Sequence, residues 1–374
     1  MTRLPYEGLR IVSIEQAVSA PFATRQFADL GADVIKIERP DGGDFARSYD
    51  TNAAGGSAYF VWLNTNKRSV CLDIRTPEGL GHLRRLLATA DVFVHNLGPG
   101  AIGRLGLSHE QVARDFPTLI NCQISGFGID GPFVSHKAYD MLIQQEAGIP
   151  SVTGTEAEPA KVGVSIADIG SGMYAYASIQ TALWNRAQTG QGDYIDISML
   201  ECMTEWMSPI LLTFNGSGTV LKRQGVRHNM LVPYGRYRCS DGFINLATQN
   251  NREWQTLRGA LDLADRPDYA TNALRVENRE ALEAELETRL SEMTCAQALT
   301  LLDDAGVPYG AINGVAAVSR HEQLTARDRW MTIEHEAGSV LGLLPPHNLS
   351  SVQVRQGPVP KLGEHTDEVL AELG

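Results

Sequence analysis

The sequence has no Cys-x-x-Cys pair. Its five cysteines, Cys71, Cys122, Cys202, Cys239 and Cys295, lie far apart and without His-rich neighbours. That leaves no ligand spacing for a metal centre and reads as thiols packed in a reducing compartment. No apolar run of about 18 residues occurs, so no membrane span and no membrane partner is expected. The opening residues, Met1 to Glu7, lack the apolar stretch and small-residue cleavage site of a secretory signal, and the cytoplasm is the expected location. Basic residues are not in excess. A net charge of -12 argues against nucleic acid as a partner, whose phosphates need clustered Lys and Arg. The histidines form no His-Glu-x-x-His and there is no Gly-x-Ser-x-Gly elbow, so zinc hydrolysis and serine-triad chemistry have no support.

Apolar residues make up 43% and charged residues 20%, proportions of an ordinary globular chain rather than a disordered one. At 374 residues, two domains or one with a large insertion are expected. The first half alternates strand and helix patterns: strands at 9–14, 34–38, 69–74, 91–95, 119–124 and 194–198, and helices at 21–30, 77–88 and 169–186, the last apolar or small on nearly every face. The alternation predicts an α/β class with a largely parallel sheet, a Rossmann-like layered domain. Past residue 215, Gly216-Ser217-Gly218 and a basic stretch read as a linker into a smaller α+β unit. There a hairpin turns at Ser240-Asp241-Gly242, and helices follow near 252–261, 277–290 and 295–305. A short helix is expected at 367–373, capped by Thr366.

Three features carry candidate chemistry. Gly98-Pro99-Gly100-Ala101-Ile102-Gly103 spells G-x-G-x-x-G after a strand, but Gly106 interrupts the helix that should begin there. No acid closes the next strand to hold a ribose, so a glycine turn is expected rather than a dinucleotide site. Cations stand at or beyond strand ends: Lys36, Arg39, Lys67, Arg68, Arg104 and Lys137. In a parallel sheet those ends share one edge, so the set either converges on a polyanion or is solvated surface charge. Asp168 stands at the mouth of the long helix among Gly163, Ala167, Gly170 and Gly172. It is open to two roles there, an N-cap or a carboxylate nucleophile kept ionised by the helix N-terminus.

Taken in order, Leu30-Gly31-Ala32-Asp33-Val34-Ile35-Lys36-Ile37-Glu38-Arg39, Asn66-Lys67-Arg68-Ser69, Asn96-Leu97-Gly98-Pro99-Gly100 with Arg104, Lys137-Ala138-Tyr139-Asp140, Ala167-Asp168 with Ser171-Gly172-Met173, Thr189-Gly190-Gln191-Gly192 and the stretch 362–370 resemble the family III CoA-transferases. The resemblance implies an enzyme that moves coenzyme A from an acyl-CoA donor to a small carboxylic acid through an aspartyl-CoA thioester, with Asp168 as nucleophile. It implies CoA contacts at Arg39, Lys67, Arg68, Asn96, Leu97, Arg104, Lys137 and Tyr139. No permanently bound cofactor is implied, since CoA thioesters are the substrates. It also implies an interlocked homodimer: a large Rossmann-like domain over 1–200, completed by about 330–374, a small domain over 225–315, and connections at 201–224 and 316–329. The region 225–234 lacks the glycine run of formyl-CoA transferase, which argues against oxalate as acceptor. Ala138-Tyr139-Asp140-Met141 lacks the histidine that α-methylacyl-CoA racemases carry. Arg227 and His228 are candidate contacts for a second acceptor carboxylate, as in itaconate, mesaconate or succinate. A racemase or intramolecular CoA transferase of the same fold, and a CoA-binding regulator without chemistry, remain alternatives.

Overall fold

The computed structural model describes residues 3–374. Met1 and Thr2, with which the N-terminal reading begins, lie outside them. Six strands, β1 (Arg10–Ile14), β2 (Asp33–Glu38), β3 (Arg68–Cys71), β4 (Val92–His95), β5 (Ile120–Ser125) and β6 (Tyr194–Ser198), form one sheet in the order β3-β2-β1-β4-β5-β6. Every pairing is parallel. Strands covered on both faces read as nearly continuous apolar runs, and β1 and β4 (RIVSI, VFVH) do. The order reverses between β1 and β4. At that switch point the chain leaves the two strands in opposite directions, and a crevice opens at their C-terminal ends.

Three antiparallel strands, β7 (Tyr234–Arg238), β8 (Phe243–Ala247) and β9 (Tyr309–Ala311), make a second sheet, with the expected turn between β7 and β8. A final hairpin joins β10 (Trp330–His335) to β11 (Gly338–Leu343).

The chain divides into two compact units. The larger runs through Ile149 and adds Val162–Pro209 and Leu324–Gly374; the smaller is Pro150–Lys161 with Ile210–Gln323. In the larger, β10 brings Met331 and Ile333 onto Phe60, Val61 and Ala46. The end of the chain is pinned to the sheet edge by Arg68, which holds Asp33 at 2.6 Å and Glu372 at 2.6 Å. In the smaller, Tyr237, Trp254, Leu257, Leu282 and Leu286 form the core. The 150–161 segment belongs there because Gly225 N–H donates to the Gly154 carbonyl (2.8 Å) and the Arg223 guanidinium to those of Thr155 and Glu156.

Local structure departs from the sequence reading at three places. The stretches taken as connections are largely helical, with helices at Met199–Trp206, Ser208–Ser217, Val315–Val318 and Glu322–Ala326. Buried Cys202, Met203 and Met207 explain the first of these. The last helix starts at Thr366 itself, whose hydroxyl is not a cap: it accepts the Cys71 N–H at 2.9 Å and donates to the Gly363 carbonyl. The long helix, Ile166–Thr189, is not buried all round. Ala167, Gly170, Ala175, Ile179 and Ala182 face inward, whereas Met173 and Trp184 are 43% and 72% exposed.

Candidate active site

The crevice at the switch point is a cavity of about 580 Å³ in the larger unit. Residues just past the ends of β1 to β4 line it, and its apolar walls are Ile14, Ile37, Leu72, Ile74, Leu97 and Leu105. Three guanidinium groups, Arg39, Arg75 and Arg104, stand in the lining. Arg75 is held by Asp73 at 2.8 Å, and Arg39 donates to the Gly43 carbonyl at 3.0 Å and lies 3.6 Å from Asp41. Arg104 has no ion-pair partner among the described residues, which leaves its charge available to an anion. It is carried on the four-residue turn Ala101–Arg104, entered through Gly100 at φ 68°, a conformation that suits glycine. The G-x-G-x-x-G stretch is therefore a short turn that presents a cation, and β5 ends without the acid that a ribose would need.

A second group of polar residues surrounds the N-terminus of the long helix. Asp168 is in its first turn, but the cap position belongs to Ser165, which makes no side-chain capping bond. The donor expected to need capping, Ala167 N–H, is instead taken by Asp140 Oδ1 at 2.8 Å, while Asp140 Oδ2 accepts from Gln144 at 2.8 Å. Relieved of capping, the half-buried Asp168 carboxylate accepts no hydrogen bond among the described residues. Burial pushes its pKa up to about 7, and the nearby charge of Asp140 adds to the shift. The helix N-terminus was expected to keep this group ionised; burial acts in the opposite direction.

Tyrosines stand around this carboxylate. The Tyr49 phenol is raised to about 12 by burial, with Asp44, Asp168, Tyr139 and Tyr59 adding to the shift. Tyr49 packs edge-on against Tyr59 at 6.0 Å, and the Tyr59 hydroxyl lies 3.4 Å from the Ser165 hydroxyl. The helix packs against the start of the helix Ser19–Asp29, which follows β1, since a side chain at Gly172 would strike the Ser19 carbonyl at 2.6 Å. Gln16, three residues before Ser19, lines the cavity.

The sequence profile described as CoA-transferase family III matches residues 6–366. The chain belongs to CoA-transferase family III. It is 34% identical to the human succinyl-CoA:glutarate CoA-transferase over 99% of this chain and 86% of that one. It is 35% identical to a succinate–glutarate CoA-transferase of Agrobacterium fabrum over 99% and 96%. A solved CAIB/BAIF family protein from Brucella suis superposes over the whole of both chains with a TM-score of 0.86 at 36% identity. The chain is accordingly an enzyme of the CoA-transferase class, as its motifs imply.

Of the residues that the family resemblance pointed to, the structure brings Arg39, Leu97 and Arg104 into the cavity lining. Lys137 and Tyr139 are exposed and stand outside that lining, Tyr139 beside the Asp168 group. Lys67 is not there: its ammonium is fully buried, donating to Glu15 (2.6 Å), Asn64 and the Pro21 carbonyl. Arg68 is also committed elsewhere, to Asp33, Glu368 and Glu372. The Asn96 amide clamps Gln16, accepting from its N–H at 2.9 Å and donating to its carbonyl at 2.8 Å, so it shapes the cavity rim rather than offering free polar atoms. In the smaller unit Arg227 is neutralised by Glu283 (2.9 Å) and Glu287 (3.1 Å). His228 Nδ1 accepts from the Met230 and Leu231 amides, its ring stacks on Tyr234 at 5.1 Å, and burial, with the Arg279 charge adding, lowers its pKa. Neither presents a free cation for a second carboxylate. No group of three or more His, Cys, Asp or Glu side chains placed to hold a metal occurs among the described residues.

Sequence reasoning missed Arg75, Gln16, Tyr49, Tyr59 and the capping role of Asp140. The last joins residues 27 apart in sequence, a pairing no local pattern encodes.

Proposed function

We propose that this enzyme transfers coenzyme A from succinyl-CoA or a similar acyl-CoA to a small dicarboxylic acid, with Asp168 as covalent nucleophile. One observation carries the assignment: the Asp168 carboxylate is half-buried and unbonded at a helix N-terminus whose capping is done by another residue. The dicarboxylate class is supported by relatives named for succinyl-CoA and glutarate.

An oxygen of ionised Asp168 attacks the thioester carbonyl carbon, the C–S bond breaks, and a mixed anhydride and CoA thiolate result. The thiolate then attacks the aspartyl acyl carbon, releases the donor acid as a carboxylate and leaves an aspartyl-CoA thioester. The acceptor carboxylate attacks that thioester in turn, giving a new anhydride and thiolate. Return of the thiolate to the acceptor's acyl carbon gives the product thioester and restores Asp168. Arg39, Arg75 and Arg104 suit the CoA phosphates by charge and fork geometry, and the Ile and Leu walls suit the adenine.

The apolar face of the long helix left open at Met173 and Trp184 supports a homodimer, in which a second copy would cover it. The five free thiols support a cytoplasmic location. Incubating the protein with succinyl-CoA and a panel of mono- and dicarboxylic acids, and reading new CoA esters by mass spectrometry, tests the reading. Esters of C4–C5 diacids are expected. Racemised 2-methylacyl-CoA without transfer, or CoA binding without any product, would replace it.

A further inference from the structure

A backbone residue in the left-handed region is costly for any side chain but glycine, by about 1–2 kcal/mol, and persists where its surroundings over-determine it. Ala17 is such a residue, at φ 60°, directly after the cavity-lining Gln16. Its N–H is held by a side chain: Asp44 Oδ1 accepts it at 3.0 Å. The same oxygen accepts the Ala46 N–H at 2.9 Å and so opens the short helix Phe45–Ser48, which delivers Tyr49 toward Asp168. Asp44 Oδ2 is held at 2.7 Å by Lys36, a fully buried ammonium carried on β2, and the Asp44 N–H donates to Glu38 Oε1 at 2.9 Å. One carboxylate, itself 1% exposed, therefore fixes two separate loops against the rigid sheet.

We propose that Asp44 is a positioning residue: anchored by Lys36, it holds the strained Gln16–Ala17 turn and the Tyr49 segment in register at the rim of the CoA cavity. The part that concerns Tyr49 rests on Asp168 being the reacting carboxylate. The Gln16 part does not. Asp44 is also the nearer counter-ion of Lys36, at 2.7 Å against 3.6 Å for Glu15, which Lys67 holds at 2.6 Å, so positioning has to be separated from charge balance.

The test separates positioning from charge balance. In a Lys36→Met background the buried cation is gone, and Asp44→Asn retains an oxygen for both N–H groups without a charge conflict, whereas Asp44→Ala retains neither bond. The Asn double variant is expected to keep kcat and the CoA dissociation constant within about threefold of Lys36→Met, and the Ala double variant to lose about tenfold or more in kcat and to bind CoA more weakly as the rim is released. Equal kcat in the two double variants would overturn the proposal. Amide hydrogen exchange on the wild type gives a reading that needs no variant. Ala17 and Ala46 should be protected, and exchange at unprotected rates at both would also overturn it. Trapping of an acyl or CoA adduct on wild-type Asp168 is scored separately, so a failure of the nucleophile assignment is not confused with a failure of this one.

Discussion

Replacing Asp168 by Asn removes a charge that the fold does not welcome while keeping size and shape. The wild-type carboxyl, with a pKa near 7 against 3.8 for an ordinary aspartate, binds its proton more tightly folded than unfolded. The folded state therefore carries the extra proton between about pH 4 and 7, and stability falls as pH rises through that window. Each pKa unit corresponds to about 1.4 kcal/mol. Solvent at this half-buried group screens much of that, so about 1–2 kcal/mol is expected to reach global stability. Asp168→Asn should thus melt higher than wild type at pH 8 and nearly level with it at pH 5, by calorimetry at matched ionic strength. Activity should behave in the opposite way. Transfer needs the carboxylate, so wild-type kcat/KM should rise about tenfold per pH unit below the transition near pH 7 and level off above it, and the Asn variant should be inactive throughout. A variant less stable than wild type at pH 8, or a wild-type profile flat from pH 5 to 8, would refute the electrostatic account of this residue.

Arg104→Gln and Arg39→Gln should each weaken CoA binding by about tenfold or more and flatten its salt dependence, as read by titration calorimetry at two ionic strengths. Lys67→Met should instead cost about 3–5 kcal/mol of stability, because it leaves Glu15 buried with only the more distant Lys36 at 3.6 Å, while the salt dependence of CoA binding stays as in wild type. Sedimentation equilibrium should show a dimer at micromolar concentration, and Trp184→Asp should shift it toward smaller species; a stable wild-type monomer would contradict the reading of the open helix face.

The six parallel strands were legible because strands buried on both faces leave continuous apolar runs, as in Leu9-Arg10-Ile11-Val12-Ser13-Ile14, and because glycines such as Gly31 punctuate the helices between them. Asp168 was legible as a position but not as a state. Its cap is supplied by Asp140 from another helix, and its ionisation is set by burial, neither of which has a local sequence signature. The cations divided by environment. Arg39 and Arg104 end in the cavity, whereas Lys67 and Arg68, adjacent in sequence and matching the family motif equally well, are drawn into ion pairs by Glu15, Asp33 and Glu372. Charge at a strand end is visible in a sequence; the partner that will neutralise it is not. The helices at 199–217 were lost behind Gly216-Ser217-Gly218, a linker signature that in the fold falls at the end of the helix Ser208–Ser217.

The most direct test of the account is intact-protein and peptide mass spectrometry after brief incubation with succinyl-CoA, quenched with acid or trapped with hydroxylamine or borohydride. The account predicts a CoA or trapped adduct on the peptide containing Asp168 in wild type and none in Asp168→Asn, with CoA binding preserved. Full turnover by the Asn variant with deamidation excluded, or an adduct on another residue, would contradict it.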